Sequence, residues 1–465
     1  MDKNCVLVMN VGTNNKLAGF IKRFSEEEKK VYLERIYTDN NFETEQDTEA
    51  KEIIDSYMNS FHGAIQKANA KYIILIHTSD DVCKFFTKKI SDKYKEKEYN
   101  IEEVEVELLD VNQTAKICNE ELQLPEYRNK RKIVNFTHGS KSMSIASFFA
   151  GLYDERTQFQ YGEGVKKGNI VIYPEDNIVT FDAKEIRVEA LYKQCKTLFA
   201  HQQYAAVKEI LETQQCIPEE ISSKLKKLSD FCCAWDRFDY ASAADLSKEV
   251  CHEEIAKINY KPKEECINFL NVLKDNIQQS EQNIRLSQVN QKNNIKFGIY
   301  LLFDIYANYR RRMAAKLYED ALMRAYKMTE LMGQIYLFEA GYSAGNIPMN
   351  DENVQQYYRM QNIGNIPTRW NRSEVLGFLS FFYRNDTTKY QKIKDLESIG
   401  SFVEQRNNSV LIHGYSSFSP EDSDKLEEIT RRKILGMARE VIKQYELGNY
   451  DNIYNAAMFL NNNFN

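Results

Sequence analysis

The sequence predicts two unlike halves, an α/β domain built on a mainly parallel sheet and then an all-helical region. Three observations carry that prediction. Short runs rich in Val and Ile recur before residue 185. They alternate with stretches of helical spacing, the pattern of βαβ units. After residue 185 the strand signal disappears, while apolar residues three and four apart continue almost to the end.

In chain order, the strand candidates are CVLVMNV at 5–11, YIILIH at 72–77, VEVELLDV at 104–111 and KIVNF at 132–136. Helical stretches lie between and after them at 48–70, 80–95 and 141–152; in the last, Ile145, Phe148, Phe149 and Leu152 repeat at helical spacing. NIVIY at 169–173 and NIVTF at 177–181, joined by Pro174, Glu175 and Asp176, read as a hairpin. Helix pairs such as EALYKQCKTLFAHQQYAAVKEILE follow, and FLNVLKDNIQQSEQNI bridges to longer helices. The expected division is 1–185 for the α/β domain, 186–290 for a helical middle region and 291–465 for a C-terminal helical domain.

Composition narrows the function. A chain of 465 residues is too long for one small binding module. Its 62 Lys and Arg against 68 Asp and Glu argue against a globally basic nucleic-acid binder, so stable DNA binding is not expected and any grip on a polyanion has to be local. The apolar start is too short for a secretory leader, and nowhere do about eighteen apolar residues run together as a membrane span requires. A cytoplasmic protein with no membrane association is expected. The nine cysteines lack C-x-x-C spacing and read as reduced, mostly buried thiols. No Asp, Glu and His cluster has metal-ligand spacing, so no metal or cofactor is expected.

The most informative stretch is EQRNNSVLIHG at 404–414. On a helix, Arg406 and His413 fall within roughly 20° of one face, two turns apart. Arg is a permanent bidentate donor for phosphate, and His moves protons near neutral pH. The pair holds the minimum for splitting RNA without a metal, with the ribose 2′-hydroxyl as nucleophile; the spacing fits equally a solvated helix end with the two in register and Gly414 as its C-cap. Upstream, Arg310, Arg311, Arg312, Lys316, Arg324 and Lys327 read either as a solvated face or as a funnel for single-stranded RNA.

The N-terminal half carries a separate constellation. In a doubly wound sheet, ligands bind outside the carboxyl ends of the strands. The loops that follow the apolar runs hold Gly12, Thr13 and Asn14; Thr78 and Ser79; and Thr137, His138, Gly139, Ser140, Lys141 and Ser142. Hydroxyls, backbone amides at a helix N-terminus and one lysine suit phosphates or adenine edges. Lys141-Ser142 copies the end of a Walker A loop, but its glycines are missing, and so is a G-x-G-x-x-G run.

The R-N-x-S-x-x-x-H-G run at 406–414 resembles the signature of HEPN ribonucleases. The segments 304–334 and 234–246 are similar to helical regions of that family's CRISPR-associated branch. THGSKSM at 137–143 resembles the T-G-G-T-K-S-M segment of CARF domains, with His138 in place of a glycine and Ser140 in place of a threonine. Together these resemble the CARF-HEPN proteins of type III CRISPR systems, a Rossmann-like sensor joined to an all-α HEPN region. The resemblance implies a homodimer that binds a cyclic tetra- or hexa-adenylate through the loop residues named above. It also implies a metal-independent endoribonuclease that cleaves single-stranded RNA in antiviral defence. Arg406 would stabilise the phosphorane, His413 would handle the proton, Asn407 would hold the arginine or the phosphate, and the product would carry a 2′,3′-cyclic phosphate. The other reading keeps the sensor and makes the helical half a non-catalytic dimerisation or docking domain.

Overall fold

The computed structural model describes residues 5–13, 15–38, 45–107, 110–167, 170–172, 174, 176–213, 218–250, 264–282, 291–399 and 420–462. The chain divides into two compact units, Met1–Leu191 and Tyr192–Asn465.

The first unit is the expected α/β domain. Its strands are β1 (Cys5–Asn10), β2 (Tyr72–His77), β3 (Asn100–Glu105), β4 (Arg131–Asn135), β5 (Thr157–Gly162), β6 (Val165–Lys167), β7 (Ile170–Ile172) and β8 (Ile178–Asp182). Its helices are α1 (Asn15–Ile21), α2 (Glu26–Thr38), α3 (Glu45–Ala68), α4 (Asp81–Lys95), α5 (Val111–Leu122) and α6 (Lys141–Leu152). The six-stranded sheet runs β3-β2-β1-β4-β5-β8, parallel except for β8. Both faces are covered, which explains why the central strands read as unbroken apolar runs. Leu7, Met9, Ile73 and Leu75 pack with Tyr57 and Phe61 of α3 and Phe86 of α4. Val6, Val8, Ile74 and Ile76 pack with Cys118 of α5 and Met143 of α6 on the opposite face.

Two sequence expectations need correction. The strand placed at 104–111 is β3 at Asn100–Glu105, paired with β2 from Tyr72↔Asn100 to His77↔Glu105. Asp110 ends that region differently: its side chain accepts from Gln113 N at 2.8 Å and starts α5, so the D-V-N-Q run is a capped helix start. The hairpin between 169–173 and 177–181 does not form. β7 pairs with β6, and β8 pairs antiparallel with β5, a strand the sequence reading passed over. Aromatic packing accounts for the choice, because Phe181 stacks on the fully buried Phe159 of β5 at 5.6 Å.

The second unit is helical throughout its described residues. α7 (Lys184–Ala200) includes the unit boundary. It is followed by α8 (Tyr204–Thr213), α9 (Glu219–Asp236), α10 (Tyr240–Val250), α11 (Glu264–Gln282), α12 (Gln291–Ala314), α13 (Tyr318–Glu339), α14 (Glu352–Met360), α15 (Arg372–Phe382) and α16 (Thr387–Ser398). A helix over Pro420–Ile429 passes through a π turn at Thr430–Ile434 into Leu435–Gln444, and two short helices, Tyr450–Ala457 and Phe459–Asn462, close the fold. α12 and α13, joined by three residues, form the long hairpin. Among the described residues no helix is long and apolar enough to cross a membrane.

Candidate functional site

β2, β1 and β4 are adjacent and parallel, so the loops after His77, Asn10 and Asn135 meet at one edge of the sheet. Their contact is as close as backbones allow. A Cβ on Gly12 would lie 2.2 Å from Gly139 N, so the β1 loop touches the β4 loop only because residue 12 is glycine. Gly139 itself has a φ of +100°. Thr13 Oγ1 donates to Asp80 Oδ1 at 3.0 Å and sits 3.2 Å from Cys83 Sγ, which ties the β1 and β2 loops together.

The third support comes from α3, which the sequence reading did not single out. Tyr57 Oη accepts from Gly12 N at 2.8 Å and donates to Gly12 O at 2.7 Å. His138 is buried over α3, tilted against Tyr57 at 3.9 Å and stacked on Phe61 at 5.0 Å, with Nε2 bonded to Ser60 Oγ. Burial pushes the imidazole down to about 3, so it is neutral at pH 7. His138 thus shapes the loop from beneath. The available signal was the pair of hydroxyl side chains Tyr57 and Ser60, three residues apart on the buried face of a helix.

The remaining loop residues divide between scaffold and edge. Thr137 is committed to the sheet: its N–H donates to Asn135 Oδ1 at 3.0 Å and its Oγ1 accepts from Gly162 N at 2.7 Å. Thr78 is buried, and so is His77, whose Nδ1 lies 3.0 Å from Thr78 O. Ser79 and Lys141 are exposed, and Ser142 is half-buried with its hydroxyl 2.7 Å from that of Ser140. Asn14 lies outside the described residues.

Two helix N-termini open on this edge, with opposite electrostatics. At α4 the carboxylate of Asp80 accepts from Val82 N and Cys83 N, so the helix end already carries its anion. Beside it a cleft of about 580 Å³ is lined by Asp80, Glu105 and Glu107 with Thr78, Ser79 and Gln113. At α6 the cap is the neutral Ser140, accepting from Met143 N at 3.2 Å, with Lys141 next to it. An external phosphate is therefore favoured at α6 and disfavoured at α4.

In the second unit, Arg406, Asn407 and His413 lie outside the described residues. The upstream basic run is described, and it is not an open RNA track. Arg311 is fully buried; its Nε donates to Asp236 Oδ1 at 2.8 Å and its Nη1 to Asn461 Oδ1 at 2.9 Å. Arg312 binds the other oxygen of Asp236. Arg310 pairs with Glu427 at 2.9 Å, Arg324 with Asp320 at 3.7 Å and Lys327 with Glu330 at 2.9 Å. Arg310, Arg311 and Arg312 tie α12 to other helices, the Arg324 and Lys327 pairs lie within α13, and of the six only Lys316, exposed beside the turn, faces solvent without a described ion pair. Among the described residues no group of three or more His, Cys, Asp or Glu side chains is placed to hold a metal ion.

Residues 290–434 match the family model described as the Csm6 HEPN domain. The likeness to the Csm6 HEPN domain falls within the helical unit. That span contains Arg406, Asn407 and His413. Among solved structures, Enterococcus italicus Csm6 bound to cyclic hexa-2′-fluoro-hexa-dAMP aligns with a TM-score of 0.54 at 11% identity, covering 98% of each chain. An α/β unit followed by a helical unit is thus the fold seen in that Csm6 structure. Can2 from Sulfobacillus thermosulfidooxidans in complex with cyclic tetra-adenylate aligns over 60% of this chain and 68% of its own, at 15% identity and a TM-score of 0.22, too low to speak of a common fold. No curated protein matches the sequence.

Proposed function

We propose that this chain is a homodimeric endoribonuclease of type III CRISPR defence, activated by a cyclic oligoadenylate at the α/β edge and cleaving single-stranded RNA in the HEPN domain without a metal. The observation that carries it is the Csm6 HEPN match over a span containing Arg406, Asn407 and His413. The α6 N-terminus supports the sensor half, with Ser140, Lys141 and Ser142 around a helix end that lacks its own anion. The E. italicus protein, bound to a cyclic six-nucleotide ligand, supports the class of activator.

In the proposed reaction the ribose 2′-oxygen bonds to phosphorus as the bond to the 5′-oxygen breaks. The proton lost by the 2′-hydroxyl is balanced by one delivered to the departing oxygen. The products carry a 2′,3′-cyclic phosphate and a 5′-hydroxyl. Arg406 stabilises the phosphorane charge, His413 transfers the proton or orients the 2′-hydroxyl, and Asn407 holds the arginine or the phosphate. One such pair supplies too few groups, so the site takes Arg406 and His413 from two protomers. The exposed stripe of Ile145 and Phe149 on α6 and Tyr153 at its C-terminal cap supports a second copy, since an apolar row of this kind is normally covered.

The test is to incubate the full chain with cyclic tetra- or hexa-adenylate and a fluorogenic single-stranded RNA. The expected result is ligand-stimulated cleavage, unchanged by EDTA, with cyclic-phosphate ends. Cleavage lost in EDTA and restored by magnesium overturns the mechanism, and no cleavage with either ring overturns the function.

A further inference from the structure

At the opposite end of α6 from the ligand loop, one arginine side chain bridges α6, the turn and the start of β5. Arg187, in the first turn of α7, spreads its guanidinium over that end. Nε donates to the Leu152 carbonyl at 2.8 Å, and Nη2 donates to the carbonyls of Gly151 at 3.1 Å and Thr157 at 3.0 Å. Nη1 reaches the Glu155 carbonyl at 3.4 Å. The last carbonyls of a helix have no regular i+4 donor and form its negative pole, so although Gly151 O also accepts from Asp154 N at 3.3 Å, a planar cation with forked donors is well matched to this end. Lysine, with one compact ammonium, cannot span carbonyls spread over α6, the turn and the start of β5.

α6 is twelve residues long, a rod of about 18 Å. At one end stand Ser140, Lys141 and Ser142, at the other the Arg187 clasp. α7, which carries Arg187, continues to Ala200, past the boundary between the two units at Leu191. We propose that Arg187 is a positioning residue that locks α7 to α6, so that engagement of the activator at one end of α6 is passed to the helical unit through α7. This rests on the sensor reading above. A rigid helix moves as one body, and the clasp makes the start of α7 follow it. Without the clasp the activator still binds, but less of its binding free energy reaches the second unit.

The experiment uses the full chain and two readouts, equilibrium binding of cyclic tetra- or hexa-adenylate and cleavage of a fluorogenic RNA with and without it. For Arg187→Gln, the expected result is wild-type binding affinity and wild-type basal cleavage, with maximal stimulation lower by about tenfold. Arg187→Lys keeps a cation at the helix end without the fork and is expected to fall between. It also carries the test if the glutamine variant does not fold. Stimulation equal to wild type in either folded variant overturns the proposal. So does a loss of stimulation that only mirrors a loss of binding, because that marks Arg187 as a scaffold of the ligand loop. A wild-type chain that neither binds nor responds fails the sensor reading itself, an outcome distinct from a responsive wild type with an equally responsive variant.

Discussion

His138 occupies a position where sequence resemblance leads one to expect a glycine, and its surroundings turn it inward. The ring packs on Tyr57 and Phe61 with Ser60 on Nε2, and burial holds its pKa down to about 3. A group whose pKa is lower in the folded chain than in the unfolded one binds its proton preferentially in the unfolded state. Its contribution is therefore complete above the unfolded value of 6.5 and is lost as pH falls toward about 3. His138→Phe keeps a ring in the stack and removes the titration. In denaturant unfolding, the stability of wild type relative to that variant should fall by about 2 kcal/mol between pH 7 and pH 5. A difference that does not change with pH would show that the imidazole is not held neutral.

At the scale of elements, α12 shows how a charge run can mislead. Its consecutive Arg310, Arg311 and Arg312 read as a solvated charge run, yet Arg311 is fully buried and shares Asp236 with Arg312. Arg311→Ala leaves Asp236 with a partner missing in a largely buried setting, and should cost about 3–5 kcal/mol in unfolding free energy. Lys316→Ala, at the exposed turn, serves as the control and should be near neutral. Equal effects would return the run to the surface. On α6 the exposed row is the element's open question. Phe149→Asp puts a charge in the middle of that row and should shift the protein toward monomer in sedimentation. An unchanged sedimentation coefficient would move the proposed dimer contact elsewhere.

For the molecule as a whole, the two units give two separable failures. Lys141→Ala removes the cation beside the α6 N-terminus and should raise the half-activating concentration of cyclic oligoadenylate by about tenfold. His413→Ala should leave that binding intact and lower cleavage by about 10²–10⁴-fold. Titration calorimetry and an RNA assay on both variants check the separation. Loss of binding in His413→Ala would argue against two independent sites on one chain.

Periodicity and loop composition alone were enough to read much of this architecture. β1, β2 and β4 and the loops after them follow from apolar runs and the residues that end them, because strand period and turn chemistry are local. The R-N…H spacing at 406–413 is equally local. The pairings across the fold were not legible. Tyr57 grips Gly12, Thr13 bonds Asp80, Arg311 finds Asp236 and Arg187 reaches Gly151, over 45, 67, 75 and 36 residues respectively. β8 joins β5 rather than its neighbour in sequence for the same reason. Such partners are chosen when distant segments compete for the same buried surface and the same unsatisfied donors, a competition that exists only in the packed chain.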